Sequence, residues 1–336
     1  QRNYETHFRT PKYSVLTFFA VIKTIQTILF SPITMLYWAG TTVRNIFYDL
    51  GVLKSISFEV PILSVGNLAV GGSGKTPLVE FLIRELKNEY HIAILSRGYG
   101  RKTRGFLWVE TNISPEKTGD EPLQIKTKFN DVAVAVCEDR VAGAKRILAE
   151  KPEINLVILD DAFQHRAIKP SLQLLLSVYS KPFFYDLLLP AGRLRERRNG
   201  AQRADAIIFT KCTDQYTPIT WENKTIFYSK IVYQNPILDA LIYGFSGLAD
   251  NSPFKNHLAK TYNLVGFKAY SDHFSFKQKD LDDLITIAGS ATLVCTEKDW
   301  IKIKHLNGQE KVKYITICHT IEGTSDFIPW VKKHLH

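Results

Sequence analysis

A short apolar run that leads into a glycine-rich loop and then into a helical pattern constrains this chain most strongly. The run covers residues 61–65, and the loop ends in Gly74-Lys75-Thr76. Glycines let backbone N–H groups surround a phosphate, and the N-terminus of the following helix adds a positive dipole end. Lys75 can reach the β- and γ-phosphates of a nucleoside triphosphate, and the Thr76 hydroxyl can ligate Mg²⁺. The pattern predicts that ATP or GTP is bound by Ala69, Val70, Gly71, Gly72, Ser73, Gly74, Lys75 and Thr76.

Further apolar runs recur in the manner of a parallel sheet that is covered on both faces. They lie at residues 92–95, 132–136, 156–159, 172–176 and 206–209. Helix-like stretches such as residues 140–150 separate several of them. The alternation predicts an α/β fold with a doubly wound, mostly parallel sheet of the P-loop NTPase type, in which the ligand binds at the carboxyl ends of the strands.

The composition of the sequence changes after Lys211. Residues 214–234 are polar and turn-rich, and residues 292–295 and 314–318 are further strand candidates. We therefore predict three parts: an apolar, membrane-associating helical segment over residues 1–50, a P-loop core domain over residues 51–229, and a smaller C-terminal α/β domain over residues 230–336.

The N-terminal segment is unusually apolar over residues 13–43, and no charged residue occurs from Thr24 to Val43. A membrane-spanning helix needs about 20 apolar residues, so the length is marginal, and Pro32 interrupts the stretch. A cleaved signal peptide is disfavoured because the stretch is too long and lacks a small-residue cleavage site. A broken pair of helices lying in one leaflet agrees best with the proline. A spanning helix and a helix pair packed on the protein's own core are the alternatives.

The net charge of +10 at pH 7 suits an anionic partner, such as nucleic acid, an anionic membrane surface or a phosphorylated substrate. Because no known nucleic-acid motif is present, we predict no nucleic-acid partner, and no protein partner is predicted. The 4 cysteines are far apart, which indicates reduced thiols in a cytosolic setting.

Two consecutive aspartates, Asp160 and Asp161, end one of the apolar runs. An apolar strand that ends in aspartate beside a phosphate-binding loop places a carboxylate near Mg²⁺. Adjacent residues at a strand end point to opposite sides, so one carboxylate can meet the metal and the other can orient a neighbouring group. Gln164 and His165 follow directly, and we expect them to face the same site.

Two arginine-rich loops also follow strand candidates, one with Arg97 and Tyr99, the other with Arg193 and Arg195. Arginine binds phosphate bidentately, so these loops can hold the nucleotide or an anionic substrate. Asp120 and the pair Asp272-His273 lie on other probable loops. In a kinase a carboxylate must accept or orient the proton of the attacking hydroxyl, and an Asp–His pair can do this where the fold brings the loops together.

Together these motifs resemble those of the tetraacyldisaccharide 4′-kinases, the lipid A 4′-kinases of Gram-negative bacteria. The resemblance covers nearly the whole chain. Ala69 is ordinary for that family, although it stands where the general P-loop pattern has its first glycine; Ala162 stands where the family pattern has glycine. The motifs that carry the resemblance are residues 64–68, 71–77, 95–100, 119–122, 160–165, 189–196, 272–274 and 296–299.

The resemblance implies ATP- and Mg²⁺-dependent phosphorylation of the 4′-hydroxyl of a tetraacylated glucosamine disaccharide 1-phosphate, which gives a lipid IVA-type product. It implies that Asp120 acts as the base with help from His273, and that Lys75 serves the phosphates. It implies a metal environment of Thr76, Asp160, Asp161 and Glu196. The substrate-binding candidates are Arg97, Tyr99, Gln164, His165, Arg193 and Arg195. The N-terminal segment would attach the enzyme to the cytoplasmic face of the bacterial inner membrane.

Two other hypotheses remain open from the residues alone. One is a soluble P-loop kinase of a small metabolite, with its N-terminal helices buried in the core. The other is a nucleotide-switched, GTPase-like binding protein. The stretch from Thr210 to Asp214 is similar to a guanine-reading loop, but its spacing is wrong, so GTP specificity is only weakly supported.

Overall fold

The computed structural model describes residues 12–236, 238 and 241–335, with side chains from Leu29 onward apart from Thr324. Residues 1–11 of the predicted N-terminal segment lie outside this range. The helices are α1 (Lys12–Asp49), α2 (Lys75–Leu86), α3 (Pro115–Thr118), α4 (Asp120–Lys128), α5 (Arg140–Glu150), α6 (Ser252–Thr261), α7 (Gln278–Ala288), α8 (Glu297–Ile303) and α9 (Thr324–Leu335). The strands are β1 (Ile62–Asn67), β2 (Ile92–Ser96), β3 (Leu107–Trp108), β4 (Ala133–Val136), β5 (Leu156–Asp160), β6 (Leu172–Val178), β7 (Ala206–Thr210), β8 (Thr225–Gln234), β9 (Ile242–Ser246), β10 (Leu264–Ala269), β11 (Thr292–Thr296) and β12 (Val312–Ile321).

A 12-stranded sheet runs through the described chain in the order β10-β9-β11-β12-β8-β7-β6-β1-β5-β2-β4-β3. Neighbouring strands pair in parallel, except for β3 with β4 and β8 with β12. The strand β1 lies between β5 and β6, so the loop that follows it opens at the middle of the sheet edge. This arrangement confirms the prediction of a doubly wound, mostly parallel α/β sheet.

Helices cover both faces of the sheet. On one face, α2 packs Leu78 and Leu82 into the same apolar cluster as Phe327 and Val331 of α9. On the other face, Ile147 of α5 packs against β2 and β5. The last helix of the chain thus returns to stabilise the half of the sheet that carries the phosphate-binding loop.

The prediction of a polar, turn-rich segment over residues 214–234 is wrong in its second half, because β8 occupies Thr225–Gln234. Its side chains are β-branched and aromatic at intervals, but most are only half-buried, which weakens the hydrophobic signal. The strand pairs in parallel with β7 and antiparallel with β12. It therefore crosses the predicted domain boundary at residues 229 and 230 and joins the two halves through the sheet.

The prediction of a broken helix pair at the N-terminus is also wrong, because α1 is a single helix with Pro32 inside it. A proline removes one backbone hydrogen bond, yet its fixed φ is compatible with a helix, and the turns on either side continue. Among the described residues, no helix combines the length and hydropathy needed to cross a bilayer.

Candidate active site

The glycine-rich loop between β1 and α2 has the backbone that a phosphate cradle requires. Gly71 and Gly74 have φ values of 112° and 84°, a region that side chains with a Cβ rarely adopt. Among the described residues, no side chain caps the N-terminus of α2, so the N–H groups of its first turn remain available to an anion. Lys75 Nζ lies 3.3 Å from Asn67 Oδ1 and 3.5 Å from Asp161 Oδ1.

The second arginine-rich loop lies directly beside the phosphate-binding loop. Val70 N donates to Arg193 O at 2.8 Å, and Arg195 N donates to Leu68 O at 2.7 Å. The Arg195 guanidinium reaches the site, where Nη1 lies 2.9 Å from Asp161 Oδ1. The Arg193 guanidinium instead bonds to Asp186, with its Nε 2.6 Å from Oδ2.

The two consecutive aspartates differ sharply in their surroundings. Asp160, the last residue of β5, is 1% exposed, and neither carboxylate oxygen has a hydrogen-bond partner among the described residues. Burial, reinforced by Glu121 and Asp161, raises the pKa of Asp160 to about 7. Burial also acts on Asp161, but the charges of Lys75 and Arg195 outweigh it and hold the pKa of Asp161 below its usual value. Asp161 has a positive φ of 50°, in the left-handed region that few residues other than glycine adopt.

Gln164 and Glu196 form a hydrogen-bonded bridge between the end of β1 and the second arginine-rich loop. Gln164 Nε2 donates to Asn67 O at 2.9 Å and to Glu196 Oε1 at 3.2 Å. Glu196 also accepts from Arg203 Nη2 at 2.7 Å and from Asn45 Nδ2 of α1 at 3.0 Å. Both oxygens of Glu196 therefore already carry protein donors, in contrast to those of Asp160.

Arg140 is a residue of this site that sequence reasoning missed. It is 4% exposed, and its Nη1 donates to the Glu138 carbonyl, while its Nε has no partner in the described part of the chain. Burial, together with the nearby charge of Arg97, lowers the pKa of Arg140. Its position just after β4, at the carboxyl edge of the sheet, was the available signal. His165 lies close by, and burial lowers its pKa to about 4, so its ring is neutral at pH 7.

The fold brings the loops of Asp120 and His273 together. Asp120 is the first residue of α4, and its Oδ2 lies 3.2 Å from His273 Nδ1. The His273 backbone has a positive φ of 56°, and its ring lies 5.4 Å from that of Tyr99. Burial tends to raise the pKa of Asp120, but the His273 hydrogen bond and the charges of Lys302 and Lys298 hold that pKa below its usual value.

Lys211 and His319 lie beside the phosphate-binding loop, and no sequence motif identified either of them as a site residue. Lys211 follows β7 with a positive φ of 59°, and its Nζ lies 3.9 Å from where a Cβ on Gly72 would stand. His319 of β12 bonds through Nε2 to Gly74 O at 3.0 Å. Burial lowers the pKa of His319 to about 4, so this contact is made by a neutral ring.

This combination of a strand, a phosphate-binding loop and a helix with two strand-end aspartates and an Asp–His pair defines a P-loop phosphotransferase. A family model described as tetraacyldisaccharide-1-P 4′-kinase matches residues 26–336. The chain belongs to the tetraacyldisaccharide-1-P 4′-kinase family, which confirms the prediction of a lipid A 4′-kinase.

Individual relatives agree with this assignment. A tetraacyldisaccharide 4′-kinase of Cytophaga hutchinsonii is 39% identical over 300 residues, covering 82% of this chain and 85% of the relative. One of Bacteroides fragilis is 38% identical over 333 residues, covering 88% of this chain and 85% of the relative. A crystal structure described as the "apo" form of LpxK from Aquifex aeolicus in complex with ATP superposes with a TM-score of 0.78. It is 32% identical and covers 92% of this chain and 99% of the other.

Proposed function

We propose that this chain transfers the γ-phosphoryl group of ATP to the 4′-hydroxyl of a tetraacylated glucosamine disaccharide 1-phosphate at a membrane surface, with Mg²⁺ as cofactor. The observation that carries this proposal is the presence of a phosphate-binding loop and a hydrogen-bonded Asp120–His273 pair at one edge of one sheet. The family assignment and the ATP complex of the Aquifex aeolicus relative support the choice of donor.

The donor side rests on the loop from Ala69 to Thr76. Its backbone N–H groups and Lys75 would hold the phosphates, and Lys211 supplies a second cation over Gly72. Kinase chemistry depends mainly on positioning and charge neutralisation, so cations on both sides of the loop suit it.

Asp160 and Thr76 fit a Mg²⁺ ion. A buried carboxylate with no donor and a raised pKa gains a partner when a cation binds beside it. Within the described residues, no group of three or more His, Cys, Asp or Glu side chains is arranged to hold a metal. Mg²⁺ commonly takes one or two carboxylates together with substrate phosphates, so this donor set suits it. When bound, the ion would neutralise charge on the β- and γ-phosphates. Asp161 stands next to this position, and Glu196 better suits holding Gln164.

On the acceptor side, we assign Asp120 as the group that takes the 4′-hydroxyl proton. Its carboxylate stays ionised because the surrounding donors favour the charged form, and His273 fixes the orientation of one oxygen. Tyr99 contacts the His273 ring, while Arg97, Arg140 and His165 form a basic and polar wall suited to an anionic sugar phosphate.

The helix α1 has two distinct faces. One face docks on the active-site loops: Tyr37 donates to Arg195 O at 2.7 Å, Asn45 donates to Glu196, and Arg44 donates to Gln164 O at 3.0 Å. The other face exposes an apolar stripe with heptad spacing, which consists of Leu29, Leu36 and Val43 and continues to Leu50 just beyond the helix. Their exposures are 70%, 75%, 49% and 73%. A helix that exposes this apolar stripe suits insertion into one leaflet, and it would present a lipid directly to the site.

Replacing Leu29, Leu36 and Val43 together with glutamine tests the membrane role of this stripe. We expect vesicle binding to fall on the order of 1,000-fold or more, since each of the three side chains loses roughly 1.5–3 kcal/mol of burial in lipid. Turnover of a detergent-solubilised acceptor should change much less, because the docking face is untouched. Flotation with liposomes measures the first effect. The matched control replaces the exposed residues Val232, Val265 and Ile287 with glutamine, and equal loss of vesicle binding in that control would contradict the assignment.

The acceptor dependence of nucleotide turnover tests the function itself. We expect ATP consumption to require both Mg²⁺ and the disaccharide 1-phosphate lipid, with little turnover of GTP. GTP hydrolysis that ignores the acceptor would favour a nucleotide switch, and full activity on a water-soluble hydroxyl compound would favour a small-metabolite kinase.

A further inference from the structure

The helix α8 carries a buried ion pair, Lys302 and Asp299, next to the proposed base. Lys302 is 5% exposed, and its Nζ lies 3.3 Å from Asp299 Oδ1 and 3.6 Å from Asp120 Oδ2. Asp299 is fully buried at 0% exposure. A buried ammonium group thus stands between a structural carboxylate and the proposed base.

Asp299 is fixed by its own set of donors. Its Oδ2 accepts from Gly247 N at 3.0 Å and from Thr296 Oγ1 at 2.6 Å, while Thr296 caps α8 by accepting from Asp299 N. A Cβ on Gly247 would lie 3.1 Å from Asp299 Oδ1, so the backbone of this loop packs closely on the carboxylate. These donors hold the Asp299 carboxylate in place. The Lys302 ammonium group, one helical turn later, is held in turn by its contact with this carboxylate.

Within the described part of the chain, three titratable groups act on Asp120. His273 contacts it from the loop after β10, and Lys302 and Lys298 face it from α8. Lys298 Nζ is also shared with Asp272 Oδ1 at 3.4 Å and Glu121 Oε1 at 3.8 Å. Lys302 faces Asp299, Asp120 and the ring of Phe276 at 6.0 Å. Of the two lysines, Lys302 is the more buried, with a side chain 5% exposed against 18% for Lys298.

We infer that Lys302, anchored by Asp299, is a positioning residue that holds the Asp120 carboxylate in place and in its charged form. The pair belongs to the C-terminal half of the chain, whereas Asp120 begins α4 beside the phosphate-binding loop. Docking of α8 on α4 is thereby coupled to assembly of the base. The inference rests on the proposed role of Asp120 and adds the residue pair that sustains it.

The pH dependence of Lys302→Met provides the test. Without the ammonium group, the effect of burial on the pKa of Asp120 dominates, so this carboxyl group stays protonated up to a higher pH. We expect kcat to fall about tenfold or more at pH 6 and the deficit relative to wild type to shrink by about tenfold between pH 6 and pH 8, as Asp120 ionises again. The KM for ATP should stay within about twofold, because the partners of Lys302 in the described structure are Asp120, Asp299 and Phe276 rather than the phosphate-binding loop. Lys304→Met removes a lysine two positions away that bonds to Thr127 Oγ1, and it should show neither effect.

Two further variants keep the test decisive if Lys302→Met does not fold. Lys302→Arg retains the charge, so its activity deficit should not depend on pH. Asp299→Asn releases the anchor and should lower kcat without raising the pH at which activity appears. A Lys302→Met deficit that is constant across pH, or a pH-dependent deficit in Lys302→Arg, would overturn the inference. If Asp120→Asn itself remains active, the base assignment fails instead, and the two failures are distinguishable.

Discussion

Replacing Asp120 with asparagine is expected to lower phosphoryl transfer by about 10²- to 10⁴-fold while ATP binding stays close to wild type. In the proposed site this carboxylate faces the acceptor, and within the described residues its side-chain partners are His273 and Lys302 rather than the phosphate-binding loop. Steady-state kinetics with a lipid acceptor and equilibrium binding of ATP separate the two effects. Asp131→Asn, which removes an exposed carboxylate just beyond α4 that pairs with Lys87, is the matched control and should retain activity.

The same variant makes a prediction about stability. The folded-state pKa of Asp120 is lowered, so its partners stabilise the fold above the usual aspartate pKa, and this stabilisation is lost as the pH falls through the folded-state value. Asp120→Asn should therefore be less stable than wild type at pH 7, and the difference should shrink in strong acid. Turnover at the wild-type rate by a folded Asp120→Asn protein would refute the base assignment.

Replacing Asp160 with asparagine is expected to abolish Mg²⁺-dependent turnover and, at the same time, to stabilise the protein in the absence of metal. The variant removes a buried charge that has no donor within the described structure, and we expect a gain of roughly 1–3 kcal/mol in the free energy of unfolding at pH 8. The folded-state pKa of Asp160, about 7, lies above the ordinary aspartate pKa of 3.8. The contribution of Asp160 to the free energy of unfolding of the wild type therefore declines as the pH rises between these two pKa values. The advantage of the variant should grow over that window and then level off.

Asp161→Asn is the contrast for this prediction. Its carboxylate is paired with Lys75 and Arg195, so its removal should lower stability at pH 8 rather than raise it. Thermal unfolding with and without Mg²⁺ measures both variants. A Mg²⁺-induced stabilisation that persists in Asp160→Asn would contradict the metal assignment, as would a loss of stability in the metal-free variant.

Much of the parallel sheet could be predicted because fully buried strands produce continuous apolar runs. Residues 156–159, 172–176 and 206–209 all lie within central strands, and the predicted helix at residues 140–150 agrees with α5. The strand β8 was missed because its half-buried side chains mix polar and apolar residues. The prediction that Pro32 breaks the N-terminal helix was wrong, since a proline inside a long helix need not end it.

The residues of the site also fall into those that the sequence predicts and those that it does not. Residues on the loops that follow strands could be proposed from sequence, because the carboxyl ends of parallel strands share one edge. Lys298 and Lys302 could not, because each lies within α8, where a charged side chain usually faces solvent. Arg140 was missed although its position just after β4 was a signal, because it begins a helix. Their roles arise from tertiary burial: Arg140 and Lys302 are 4% and 5% exposed, and neither burial nor the Asp120–Lys302 contact is visible in local spacing.

The position of the transferred phosphate is the most direct test of the central claim. The full-length protein is incubated with Mg²⁺, ATP labelled in the γ-phosphate and a tetraacylated disaccharide 1-phosphate in detergent, and the product is located by mass spectrometry and phosphorus NMR. We predict a doubly phosphorylated lipid that carries the label at the 4′ position, and no labelled product with Asp120→Asn. Label at any other hydroxyl, or ATP consumption without a phosphorylated lipid, would contradict the account.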